Sequence, residues 1–309
     1  MTRALLEGRH LDRLLCMPIF MIYAAQLEGE SYADYVRDYR VLVRCQMRLV
    51  DEFGIDCVSC CSDPVRETAD CGAEMVYHDD APPHAATRVL ADRSALAALQ
   101  RPDPLGGGRM HDRVKACELF SHHVGGDIPI MGWVEGPMAQ AVDLRGMSEL
   151  MMDIYDAPQW VEDLFDWVTE MEIAFALAQI QAGADLIGVG DAAASLVSAD
   201  IYETMILPRE RRIVQAIRDA GAFSRLHICG NTTHLLPHMH RSGAELIELD
   251  HTTDIRRARE LCGPGTVLMG NFDPVAAVYS ATPGQVMEAC RRSHETLGHP
   301  YILAAGCEI

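Results

Sequence analysis

Lysine is almost missing from this chain. Lys115 is the only one in 309 residues, which leaves Schiff-base chemistry and a Walker-type phosphate loop almost no material. Cations are scarce altogether: 26 Lys and Arg stand against 45 Asp and Glu, a net charge of −19. So acidic a chain is repelled by nucleic acid and anionic membrane, and less strongly by a polyanionic substrate. Apolar residues make up 49%, yet no uninterrupted apolar run is long enough to span a bilayer. Met1 to His10 is polar, and the run from Leu14 to Ala25 has no signal-cleavage context. A soluble, cytoplasmic protein is expected, with no nucleic-acid or membrane partner. The eleven cysteines are unevenly spaced. In such a chain they read as reduced thiols, some of them ligands, and not as a disulfide framework.

What is present is an alternation. A chain of this length can bury one large core or two ordinary ones. Eight apolar runs read as strands: 17–21, 56–60, 128–134, 185–190, 223–229, 246–249, 267–270 and 301–305. Helical patterns separate them, at 32–53, 111–124, 147–182 with a break near Pro158, 199–220 behind the cap Ser198, 232–242, 254–262 and 283–297. A short polar lead-in helix is expected at 3–13. Between the second and third strands lies an excursion, Cys61 to Arg109, where 76–78 and 87–90 would pair as an outlying hairpin around Pro82 and Pro83. This is the pattern of a (β/α)8 TIM barrel, one domain over 1–309. From the third onward the strands are nearly continuous apolar runs, as in a parallel sheet covered on both faces.

Barrel enzymes place their chemistry at the C-terminal strand ends. Here those ends are Met21, Cys60, Glu135, Asp191, His227 with Cys229, Asp250, Asn271 with Asp273, and Cys307. Residues two apart on a strand point the same way, so His227 and Cys229 project together. Imidazole and thiolate are good zinc ligands, and Cys307 is the third candidate. The fourth position would go to substrate sulfur, water, or a carboxylate such as Glu248 or Asp250. A neutral histidine with two thiolates makes zinc a modest Lewis acid, suited to holding a substrate thiol as thiolate; a histidine-rich set suits water activation better. The residues alone therefore point to alkyl transfer to a metal-held nucleophile. Asp191 and Glu135 are candidates for general acid/base groups or for partners that orient the ligands, Asp191 more the latter. Asn231, Asn271 and Asp273 are candidate substrate contacts, although Asn271 and Asp273 also suit the Gly270–Pro274 turn itself.

Other features have plainer readings. Cys57 and Cys60 face opposite ways on a strand, so with Cys61 and Cys71 they read as buried thiols. His234, His238 and His240 read as a helix surface, and Met147, Met151 and Met152 as helix core.

The block from Gly183 to Ile309 resembles the uroporphyrinogen decarboxylase superfamily, and within it the zinc-dependent, corrinoid-linked methyltransferases. The likeness is carried by Gly190-Asp191-Ala192, Leu226-His227-Ile228-Cys229-Gly230-Asn231-Thr232, Gly270-Asn271-Phe272-Asp273-Pro274 and Gly306-Cys307-Glu308-Ile309. Gly132 to Pro137 and Tyr155 to Pro158 extend it. The resemblance implies a (β/α)8 barrel with zinc on His227, Cys229 and Cys307. It also implies a methyl group exchanged, in either direction, between a corrinoid such as methylcobalamin on a partner protein and a thiol or other heteroatom compound. Two departures stand out. The chain stops after the eighth strand where the family continues into a last helix: either the chain is shortened or the barrel closes differently, and a missing helix would leave apolar surface for a homodimer partner to cover. The decarboxylase branch should clamp its substrate's carboxylates with arginines after the first strand, but 17–36 holds no Arg or Lys. A metal-independent tetrapyrrole decarboxylase therefore ranks second.

Overall fold

The computed structural model describes Ala4, Leu5, Arg9 and residues 11–309. Most of the expected lead-in helix lies outside the described residues. At the centre is a curled, all-parallel sheet of seven strands. In chain order the strands of the chain are β1 (Val58–Ser59), β2 (Met75–Val76), β3 (His84–Ala85), β4 (Ile130–Glu135), β5 (Leu186–Gly190), β6 (Phe223–Ile228), β7 (Leu246–Leu249), β8 (Val267–Gly270) and β9 (Tyr301–Ile302). The sheet runs β1-β4-β5-β6-β7-β8-β9, and β2 pairs with β3 apart from it.

Both edges of the curled sheet meet one segment. Met17 N–H donates to Leu303 O (2.9 Å), Leu303 N–H to Leu15 O (2.8 Å), and Asp56 N–H to Cys16 O (2.8 Å). The expected first strand at 17–21 is therefore displaced toward the N-terminus. Pro18 has no N–H to give a ladder, and Met21 already precedes helix α1 (Ile22–Glu28). The outlying hairpin exists, but its second strand is His84–Ala85 and not 87–90.

The remaining helices of the first half are α2 (Tyr32–Arg37), α3 (Tyr39–Phe53), α4 (Arg66–Asp70), α5 (Arg109–Val124), α6 (Pro137–Arg145), α7 (Met147–Asp156) and α8 (Pro158–Gln181). The second half has a short turn at Ala199–Ile201, then α9 (Leu207–Asp219), α10 (Leu236–Arg241), α11 (Ala258–Cys262) and α12 (Pro283–Leu297). The break at Pro158 is where the sequence puts it, because proline is tolerated at a first helical turn. Helix α6 was not expected, and a π-helical turn at Tyr202–Ile206 interrupts the helix expected at 199–220. Met147 and Met152 are exposed rather than core. Among the described residues, no helix is long and apolar enough to cross a membrane.

Strand alternation sorts the apolar residues into two cores. Ile130, Val134, Ile187, Val189, Leu226, Ile247 and Leu268 pack outward against the helices. Met131, Trp133, Leu186, Leu246, Val267, Met269 and Ile302 pack together inside the curl. Cys60 belongs to the outer core and Cys57 to the inner, both buried, as opposite faces of one strand require. The ladder register then aligns one row across the sheet: Glu135, Gly190, His227, Glu248, Met269 and Ile302. That row is the floor of the site.

Candidate functional site

Strand β6 supplies the first two donors. Its outward residues Leu226 and Ile228 are fully buried against helices, so Arg225 and His227 must point inward. The strand then ends in Cys229 and Gly230. Gly230 turns the chain out at φ +88°, a conformation that disfavours any side chain. The third donor arrives from beyond β9. Cys229 is three strands away from it in the sheet, and curling brings the two together.

The His227 nitrogens and the Cys229 and Cys307 sulfurs form a group whose ligand atoms lie within 4.8 Å of one another. His227 Nε2 is 3.1 Å from Cys229 Sγ, and Cys229 Sγ is 3.9 Å from Cys307 Sγ. His227 is buried, while Cys229 and Cys307 are partly exposed residues. One imidazole and two thiols around a common centre are a donor set that suits a zinc ion.

Protons are unevenly shared within the group. A hydrogen bond from Cys229 and the neighbouring His227 outweigh burial and hold Cys307 down to about 4. The Cys229 thiol is driven up, first by the Cys307 sulfur and then by burial. Burial works to lower His227, but Glu248 and Cys307 push it up to about 10.

Glu248 stands behind this group, not in it. Its Oε2 lies 3.0 Å from His227 Nδ1, although the contact is too bent to count as a hydrogen bond. The same carboxylate accepts two bonds from Arg225, at Oε2 from Nε (3.0 Å) and at Oε1 from Nη2. Burial would raise Glu248, but the Arg225 and His227 charges hold it down to about 2. Glu248, a candidate fourth ligand, lies at Nδ1 of the imidazole, and Nε2 is the nitrogen near Cys229. Asp250 is not among the grouped ligand atoms either; its Oδ1 accepts from Thr252 N–H (2.8 Å) and Oγ1 (2.6 Å).

The other sequence candidates are spread around the mouth. Asp191 is fully buried; its Oδ1 accepts from Ala139 N–H (2.7 Å) in α6, and its own N–H donates to His227 O (2.9 Å). Burial, then the Glu210 carboxyl, pushes Asp191 well above the carboxylate range. Glu135 accepts from Arg66 Nη2 (2.8 Å), and burial raises it despite that guanidinium. Asn231 Oδ1 accepts from Thr233 N–H (3.0 Å), closing a local turn. Asn271 Nδ2 donates to the Asp250 and Thr253 carbonyls (both 3.2 Å). Asp273 Oδ1 accepts from Val275 N–H (2.8 Å) and Ala276 N–H (3.0 Å). These three carry the loop framework. His234, His238 and His240 make separate contacts with Val197, Glu203 and Thr266 and form no ligand set.

Sequence reasoning passed over three neighbours. Trp133 lies across β5 with its ring centroid 6.5 Å from that of His227; a Cβ at Gly188 would collide with the indole. The spacing of Gly188 and Gly190 was the available signal, since alternate glycines in a strand mark a close approach. His251 packs its backbone on Gly306, just before Cys307. Arg225 stands two before His227, and the period of the strand alone places it on the same face.

A profile described as uroporphyrinogen decarboxylase (URO-D) matches residues 2–309. The chain belongs to the uroporphyrinogen decarboxylase family. A methylcobamide:CoM methyltransferase, MtbA of Methanosarcina mazei, is 33% identical over 208 residues, 66% of this chain and 60% of that protein. The chain thus spans less than two thirds of that relative. A uroporphyrinogen decarboxylase of Nocardia farcinica is 29% identical over 282 residues, 88% of this chain and 76% of its own. Among solved structures, a methyltransferase from Methanosarcina mazei aligns with a TM-score of 0.87 at 23% identity, over 99% of this chain and 91% of its own. That last likeness is one of fold.

Proposed function

We propose that this member of the family is a (β/α)8-barrel methyltransferase that moves a methyl group between a corrinoid on a partner protein and a small thiol. The carrying observation is the gathering of His227, Cys229 and Cys307 ligand atoms within 4.8 Å. Likeness to a relative named a methylcobamide:CoM methyltransferase supports the same reading.

The three side chains would hold zinc, which when bound supplies a Lewis acid that lowers the pKa of a thiol and keeps it nucleophilic. His227 Nε2 faces the thiols, and Glu248 stands at the opposite nitrogen, so Nε2 is the nitrogen a metal would take. Cys229 and Cys307 leave the mouth side accessible, where a thiol and the methylcorrinoid would meet. Trp133 packs beside His227 at the floor. Asp191 anchors the end of β5 to α6 and to the His227 carbonyl, which assigns it a supporting part. Glu135, turned to Arg66, belongs to the wall.

The decarboxylase reading asks for free cations to receive a carboxylate-rich tetrapyrrole. Near the end of β1, Arg66 is paired with Glu67 (3.0 Å) and Glu135 (2.8 Å), and Arg109 with Asp63 (2.6 Å). Methyl transfer therefore ranks first. The test is zinc content beside thiol-dependent loss of methylcobalamin: the methyltransferase needs both, and a decarboxylase needs neither.

A further inference from the structure

We infer that Arg225 is a positioning residue for the metal centre: acting through Glu248, it holds His227 with Nε2 toward the two thiols. The inference rests on the proposed metal-binding role of His227, Cys229 and Cys307.

His227 and Glu248 are register partners on β6 and β7, so their inward side chains are neighbours. Glutamate alone is flexible and could turn its carboxylate toward the centre as a ligand. Arg225 prevents this. It engages both carboxylate oxygens side on, through Nε to Oε2 (3.0 Å) and Nη2 to Oε1. A planar guanidinium matched to a carboxylate fixes orientation in a way that a lysine would not. With the carboxylate fixed, Oε2 sits 3.0 Å from His227 Nδ1. That nitrogen faces the carboxylate, and Nε2 is left facing the thiols.

Arg225 also reaches across the interior. Its Nη1 lies 3.4 Å from Met17 O and 3.4 Å from Met131 Sδ. Met17 donates to Leu303 on the strand path that leads to Cys307. One side chain therefore touches the framework of both ligand-bearing strands. Arg225 and Glu248 are both fully buried, and a merely stabilising pair could be exchanged for apolar residues of similar volume at little cost in stability. A positioning pair exchanged in the same way would leave the fold standing and weaken the hold on the metal.

That contrast sets the experiment. Zinc affinity is measured by chelator competition on R225M/E248L, R225K and E248Q beside the wild type. The Co(II)-substituted absorption spectrum and the ¹⁵N shifts of the His227 ring are recorded with them. The expected result is a folded double variant whose zinc affinity falls about ten- to a hundredfold, with an altered Co(II) spectrum. R225K should be intermediate, and zinc-loaded wild-type His227 should show a protonated Nδ1. A double variant that binds zinc as tightly as the wild type, with the same spectrum, overturns the inference and leaves the metal centre standing. If the double variant does not fold, R225K and E248Q decide: unchanged affinity and ring shifts in both overturn it. A wild type that takes up no zinc removes the metal centre and this inference together.

Discussion

Cys229 Sγ and Cys307 Sγ lie 3.9 Å apart although 78 residues separate them in the chain. Only the curl of the sheet brings them together, because β7 and β8 intervene. A close pair of thiols beside an inward imidazole is the feature from which the functional account is built.

Removing any donor should empty the centre. Wild-type protein is expected to hold about one zinc per chain. H227A, C229S and C307S should each fall to a small fraction of that, with circular dichroism unchanged. The measurement is atomic emission on protein dialysed against a weak chelator. Full zinc in C307S would remove Cys307 from the ligand set.

Metal uptake should be coupled to protons in a definite direction. At neutral pH Cys307, held near about 4, is already a thiolate, whereas His227, raised to about 10, and Cys229, also raised, carry protons. A divalent cation must displace about two protons at pH 7. Zinc affinity should therefore rise with pH through the neutral range. Below about pH 4 Cys307 takes up a proton as well, and the dependence steepens. Calorimetry in buffers of different ionisation enthalpy counts the protons; no proton release would contradict this assignment.

The floor of the site should tolerate no methyl group at position 188. The Cβ of G188A would run into the Trp133 ring, and overpacking of this kind costs roughly 1–3 kcal/mol. Thermal unfolding should show a clear loss of stability. W133L/G188A should recover part of it, since the second change removes the obstacle.

The head group of the thiol should matter through its charge. Arg66, Arg109 and Arg225 are all paired with carboxylates, while Asp250 and Glu308 flank the ligand group. A sulfonate meets no spare guanidinium from those three. Of two thiols with the same two-carbon spacer, 2-aminoethanethiol should bind the Co(II)-loaded protein about tenfold more tightly than 2-mercaptoethanesulfonate at low salt. The gap should narrow as salt is added. Equal binding, or preference for the sulfonate, would contradict this.

How much of this was legible beforehand depended on which physical rule was at work. His227 and Cys229 could be paired from strand periodicity, and Cys307 from its place after the last apolar run. The role of Glu248 could not be read, because it depends on the register between β6 and β7, which no local pattern encodes. Read alone, a carboxylate at a strand end looks like a ligand; Arg225 changes that. The first strand was misplaced for a local reason: 17–21 is apolar, but Pro18 cannot donate to a ladder, and the pairing moved to Leu15–Met17. Asp191 bonds to the His227 carbonyl at the end of the neighbouring strand, but its burial against α6 and Glu210 comes from packing that the sequence does not display.

The most direct test of the account is methylcobalamin consumption by zinc-loaded protein with a small thiol, followed by the absorbance change, with C307S as the control. The account predicts thiol-dependent demethylation by the wild type and loss of nearly all of it in C307S. Demethylation that persists in C307S, or a zinc-loaded wild type inert toward methylcobalamin with thiols of every head-group charge, would contradict it.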